Sequence, residues 1–163
     1  MSAYVIETNV PVAANGFADH VSSACVVKCL RCLERIHASG IVVLDDGGRI
    51  LGEYTRHLNR SGQPGAGDFF MKWIWLNQSV PERCEQVRIT PLVNDPENFS
   101  EFPTDSRLES FDRSDRKFVA VAKASQKRPA ILNATDTDWW DHRVALAENG
   151  VVVEFLCPDQ FRE

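Results

Sequence analysis

The chain is predicted to be an α/β protein: a mostly parallel sheet of four to five strands with helices on both faces, making three layers. Three observations predict this. Short apolar runs alternate with longer amphipathic stretches along most of the chain. The runs are continuous rather than polar at every second residue, as in strands buried on both faces. At 163 residues the size matches one domain with a real core.

In order, Tyr4-Val5-Ile6 reads as the first strand. Asp19 to Ser39 reads as a long helix, because Val21, Cys25, Cys29, Cys32, Leu33 and Ile36 recur at spacings of three and four. Gly40 ends it. Ile41-Val42-Val43-Leu44 is a β-branched run and a buried strand. A helix follows over about Arg49 to Asn59, then a glycine-rich loop at 62–67. Asp68 to Asn77 is helical, with Phe69, Phe70, Trp73 and Leu76 on its apolar side. Residues 79–104 hold four of the eight prolines and read as an irregular insertion, with a strand over Val87 to Thr90. Helix returns over Asp105 to Ser125. Ala130-Ile131-Leu132 is strand, Asp138 to Glu148 helix, and Val151 to Leu156 the last strand.

The composition, 44% hydrophobic and 25% charged, is that of a soluble globule. No basic segment leads into an apolar stretch at the N-terminus, and no apolar run approaches membrane-spanning length. Five cysteines without an export signal predict a reducing cytoplasm and free thiols. A net charge of -5 argues against a protein that coats nucleic acid generally, while leaving room for a local basic face.

In a parallel sheet the functional crevice lies beyond the carboxyl ends of the strands. Glu7 follows the first strand. Asp45 and Asp46 follow the second, with Glu53 two turns into the next helix. Asp136 and Asp138 follow the strand at 130–132, and Asp115 lies on the helix before it. Two unit charges ~5 Å apart repel by roughly 3 kcal/mol at an effective dielectric of about 20. Such a cluster therefore takes up protons or a cation. Its ligands are all hard oxygens, which suit Mg²⁺ or Mn²⁺. Cations held this way polarise a phosphate and activate water, which is the chemistry of phosphodiester hydrolysis.

Four segments carry a resemblance. They are Ile6-Glu7-Thr8-Asn9, Leu51-Gly52-Glu53-Tyr54, Asp115-Arg116-Lys117-Phe118-Val119-Ala120-Val121-Ala122, and Asn133-Ala134-Thr135-Asp136-Thr137-Asp138-Trp139. Their order and placement resemble the PIN-domain nucleases, over residues 4–156 with 79–104 as an insertion. The resemblance implies a single domain with a Rossmann-like sheet and a Mg²⁺- or Mn²⁺-dependent endonuclease, most often acting on RNA. Many of the family's members serve as toxins of toxin–antitoxin pairs or as phage-defence effectors, which implies an antitoxin or defence partner; a homo-oligomer and a cytoplasmic location are expected beside it. Carried over, Glu7, Glu53, Asp115 and Asp136 are the catalytic acids and metal ligands. Asp138 is an outer or second ligand, and Asn9 orients the first acid. The sequence departs from the family at Glu7, where aspartate is usual. The alternatives are a catalytically degenerate PIN-like binding or assembly module and a nuclease directed at DNA.

Around Asp115 lie Arg113, Arg116, Lys117, Lys123, Lys127 and Arg128, six basic residues within sixteen positions. They read either as a phosphate-binding substrate face or as a solvated helix face. Trp139 and Trp140 read either as base-stacking groups or as packing. Thr8-Asn9 and Thr135 to Asp138 also read as helix caps, and Asp45-Asp46-Gly47-Gly48 as a turn. Cys25, Cys29 and Cys32 have the spacing of iron–sulfur radical enzymes, but on a helix's apolar stripe they read as buried hydrophobes. Gly65-Ala66-Gly67 lacks the context of a nucleotide loop. An aspartyl phosphatase on Asp136-Thr137-Asp138 lacks the downstream chain. A receiver domain on Asp45 and Asp46 lacks its middle-strand aspartate and late lysine.

Overall fold

Ala3–Ile6 forms β1, whose Val5 and Ile6 are wholly buried. Asn9–Ala14 follows as the short helix α1, with Pro11 in its first turn, where a missing N–H costs nothing. Ser23–Ser39 is α2 and Ile41–Asp45 is β2, every residue of which is buried. Arg49–His57 forms α3, Ala66–Asn77 α4 and Cys84–Val87 β3. Pro91–Leu92 and Asp95–Phe99 pair as the antiparallel hairpin β4–β5. Arg116–Ala124 is α5, Ala130–Asn133 β6, Thr137–Asp141 α6, Arg143–Glu148 α7 and Val153–Phe155 β7. This computed structural model describes residues 1–162.

The main sheet has the order β3-β2-β1-β6-β7, and every pairing in it is parallel. It is a three-layer α/β sandwich, as the continuous apolar runs require. The chain lays β2 and β3 on one side of β1, then β6 and β7 on the other. The direction of travel thus reverses between β1 and β6, whose register pairs Ile6 with Leu132. The crevice of such a sheet opens beyond the carboxyl ends of those two strands. Two contacts fix the end of β1. The Glu7 N–H donates to Leu132 O at 3.1 Å, and the buried Tyr54 hydroxyl of α3 donates to Ile6 O. Helix α4 closes tightly on α1, because a Cβ at Gly67 would stand 1.9 Å from Pro11 O.

Several boundaries differ from expectation. Helix α2 starts at Ser23, since the Ser22 hydroxyl accepts the Cys25 N–H at 3.2 Å and caps it. The insertion begins later than residue 79. Cys84–Val87 joins the main sheet beside β2, pairing Cys84 with Val42 and Val87 with Asp45. The helix expected over 105–125 is α helix only from Arg116. Before it, Asp105 and Asp112 accept the N–H groups of Arg107 and Ser114 and close single 3-10 turns instead. The helix expected over 138–148 is two, meeting at His142.

The cysteines also differ. Cys25 of α2 and Cys157 after β7 form a disulfide, so the expectation of free thiols holds for Cys29, Cys32 and Cys84 alone. All five sulfurs are buried, as the apolar stripe predicts. No helix among the described residues is long and apolar enough to cross a membrane.

Candidate metal centre

Glu7 leaves the end of β1 and Asp136 lies three residues beyond β6, so the parallel register brings them together. Asp115, in the 3-10 turn that leads into α5, completes the group. One carboxylate oxygen from each of Glu7, Asp115 and Asp136 lies within 4.8 Å of the others. Glu7 and Asp115 are buried and Asp136 is half-buried.

Each acid is held by the local chain. The Asn9 backbone N–H donates to Glu7 Oε2 at 2.7 Å, so Glu7 itself satisfies the start of α1. The Thr8 hydroxyl is not a cap; it donates to Glu53 Oε2. Asn9 orients the first acid through its backbone rather than its side chain. Its side chain instead clasps the end of β6, donating to Asn133 Oδ1 at 2.7 Å and accepting the Ala134 N–H at 2.8 Å. Asn133 in turn donates to Asp136 O at 3.2 Å. Asp136 Oδ1 accepts the Asp138 N–H at 2.9 Å and caps α6. That bond occupies one lobe of one oxygen, so the cap and the cluster coexist on Asp136.

Burial and mutual repulsion both act on the carboxyls. Burial drives the Glu7 carboxyl up to about 8; the Asn9 amide works against this, and Glu53 and Asp136 add to it. Burial likewise drives Asp115 up to about 9, followed by the charges of Glu7 and Asp136 and hydrogen bonding with Asp136. Fully ionised, three such charges repel by on the order of 10 kcal/mol at an effective dielectric of about 20. The donor set fits a hard divalent cation: three carboxylates at strand and turn ends, no sulfur, no imidazole.

The remaining expected ligands are placed elsewhere. Glu53 is buried beside the cluster, but Lys117 Nζ donates to its Oε1 at 2.7 Å and Thr8 holds its other oxygen. It stands as half of an ion pair rather than as an open ligand. Asp138 lies outside the three-oxygen group: its Oδ2 accepts the Asp112 N–H at 2.8 Å, and His142 Nδ1 sits 3.2 Å from Oδ1. Asp45 accepts the N–H groups of Arg49 and Ile50, both at 2.9 Å, and starts α3, which is the turn role.

The basic run is not one face. Lys117 is the buried partner of Glu53 and also donates to Ser114 O. Arg116 is buried too, its guanidinium donating to Glu109 O at 3.0 Å and Phe111 O at 3.2 Å and lying over the Phe102 ring. Lys123, Lys127 and Arg128 precede β6 and sit at the amino ends of the strands, opposite the carboxylates. There Lys123 holds Asn149 O and Lys127 pairs with Glu85. Of the exposed members of the run among the described residues, Arg113 alone lies on the cluster's side, lining a cleft with Glu53 and Lys117. Trp139 is fully buried against Phe111, and Trp140 stacks on Phe161 at 5.0 Å beneath Arg143.

Sequence reasoning missed two residues of this edge. Arg49 and Arg56 of α3 flank a cleft of about 280 Å³ that Glu53, Arg113, Ser114 and Lys117 also line. Their i and i+7 spacing on one helix, either side of Glu53, was the available signal. No protein-family model, curated protein or solved structure matches the chain.

Proposed function

We propose that the protein is a PIN-like, divalent-metal-dependent endonuclease that hydrolyses phosphodiester bonds, with RNA the favoured substrate. The observation that carries this is the convergence of Glu7, Asp115 and Asp136, from three distant segments, at the carboxyl edge where the strand order reverses. Those three residues hold Mg²⁺ or Mn²⁺. The bound cation supplies charge for a phosphate oxygen, a water of lowered pKa and stabilisation of the leaving oxygen.

The chain's own groups do the rest. The Asn9 amide and the Tyr54 hydroxyl fix the end of β1, so Glu7 presents its carboxylate without rotamer search. The Asn9 side chain locks the loop that bears Asp136 to the same strand end. Lys117 offsets the charge of Glu53, which would otherwise add a fourth negative charge to the cluster. Glu7 in place of aspartate is served by this geometry: its longer side chain turns back to the Asn9 amide while remaining in the oxygen cluster. A cytoplasmic location belongs to the same proposal; the Cys25–Cys157 bond, of a kind rare in that compartment, weighs against it.

A second reading, a degenerate module that binds without cleaving, is favoured by the loss of Glu53 to Lys117. One experiment separates them: single-stranded RNA and DNA panels incubated with the protein in Mg²⁺, Mn²⁺ or EDTA. Cleavage that needs the metal supports the nuclease. Binding without cleavage in either metal supports the module.

A further inference from the structure

The cleft beside the carboxylates has an unusual wall. One side is α3, presenting Arg49 and Arg56. The other is the β4–β5 hairpin, which the sequence showed only as an irregular insertion. From that hairpin Asp95 and Glu97 both reach Arg113, the third arginine of the cleft: Asp95 is in direct contact, and Glu97 Oε2 is 3.6 Å from Nε. Arg49 is half-occupied, 3.5 Å from Asp45 and 5.5 Å from the Phe99 ring of the same hairpin. Arg56 has no ion-pair partner within 4.0 Å among the described residues. The floor, Glu53 with Lys117 and Ser114, adjoins Glu7 and Asp115.

We propose that this cleft binds a phosphate of the polynucleotide next to the one under attack, on Arg56 and Arg49, and that Asp95 and Glu97 are gatekeepers that occupy Arg113 until a phosphate displaces them. It rests on the nuclease reading for the identity of its ligand. A guanidinium fork suits phosphate and carboxylate alike. The hairpin's two carboxylates therefore compete with the ligand for the same donors. The arrangement screens anions: a lone small anion gains Arg56 and little else, whereas a strand that continues to the metal-bound phosphate has the extra contacts needed to take Arg113 from the hairpin. The gate thus sets affinity and selectivity, and Arg56 sets the first point of contact. The ligand chemistry is the phosphodiester, common to RNA and DNA.

The test is anisotropy of labelled twelve-nucleotide RNA and DNA strands with the full chain in Ca²⁺, a hard cation that carboxylates hold, with the strand checked as intact on a gel so that binding is read without cleavage. Arg56→Ala should weaken binding about tenfold and reduce the salt slope by about 0.7, one single-strand phosphate contact. Asp95→Asn should do the opposite, tightening binding by about three- to tenfold and steepening the slope. The decisive arm is the double variant. If Asp95 acts by holding Arg113, its gain vanishes when Arg113 is glutamine. If it acts as diffuse repulsion, the gain persists and the gate is overturned. Parent-like binding by Arg56→Ala overturns the cleft, and because Arg56 is unpaired, that variant reads out even if an Arg113 variant melts early. RNA and DNA arms name the source of the phosphate. The two proposals fail separately. Binding with this arginine pattern but no cleavage in Mg²⁺ or Mn²⁺ removes the nuclease and leaves the cleft. Metal-dependent cleavage with binding indifferent to Arg56 removes the cleft and leaves the nuclease.

Discussion

Lys117 Nζ lies 2.7 Å from Glu53 Oε1, and both side chains are nine-tenths buried beside the carboxylate cluster. A buried pair of this kind adds little net stability, but removing one partner strands the other charge. Here the stranded charge would be Glu53, next to Glu7.

Lys117→Met should therefore lower unfolding free energy by about 3 kcal/mol, read from the urea midpoint. Adding Glu53→Gln in the same chain should recover part of that loss. A lysine held for substrate would instead leave stability unchanged and cost affinity.

The raised carboxyls give stability a definite pH dependence. Glu7 and Asp115 keep protons in the fold up to about 8 and 9, against ordinary values of 4.5 and 3.8. Between those limits the folded state binds more protons than the unfolded chain, so stability falls as pH rises. Their contribution is complete below about 4 and is lost through 8 to 9. Glu7→Gln should raise the melting temperature of metal-free protein at pH 9 and change it little at pH 5. Saturating Mn²⁺ should reverse the order, because the parent binds the ion and the variant does so weakly. Cation affinity of the parent should climb over the same pH range. A metal-free melting curve at pH 9 that is lower for Glu7→Gln would show that its negative charge is stabilising.

Lys123 and Lys127 belong to the amino ends of the strands, where Asn149 and Glu85 hold them. Replacing both by alanine should leave oligonucleotide affinity within about twofold of the parent and remove less than one phosphate contact from the salt slope. A tenfold loss would move the substrate path to that end of the sheet.

The disulfide closes a separation of 132 residues between α2 and the chain after β7. Alkylation of unfolded, unreduced protein should modify three cysteines, and reduction should expose five. Reduction should destabilise the fold by up to about 5 kcal/mol on the chain-entropy view. Five modifiable thiols in carefully unreduced protein would remove the bond.

What could be read from sequence follows from distance along the chain. β1, β2 and β6 were legible because a strand buried on both faces is a continuous apolar run. Glu7 and Asp136 were legible because they follow such runs. The strand expected over Val87 to Thr90 lies three residues earlier, as β3 over Cys84–Val87, because Glu85 and Gln86 interrupt its apolar pattern; as an edge strand it buries Cys84 fully and little else. The helix before residue 116 was overextended because Asp105 and Asp112 cap their own turns, a local competition that apolar periodicity does not register. The run from Arg113 to Arg128 looked like one face, yet it crosses a turn, a whole helix and a loop, so its members point to opposite ends of the sheet. The partnership of Lys117 with Glu53, 64 residues apart, and of Cys25 with Cys157 depends on helix rotation and tertiary packing, which spacing alone does not carry.

The most direct measurement is single-turnover cleavage of labelled single-stranded RNA in Mn²⁺ by the parent and by Asp136→Asn. Asparagine keeps an oxygen to accept the Asp138 N–H, so α6 retains its cap and the variant should melt close to the parent without metal. The parent should cleave in Mn²⁺ and stop in EDTA. Asp136→Asn should lose two or more orders of magnitude in rate, because one of three charges that hold the cation is gone. A folded Asp136→Asn that cleaves at the parent rate, or parent cleavage that persists in EDTA, would contradict a metal centre built on Glu7, Asp115 and Asp136.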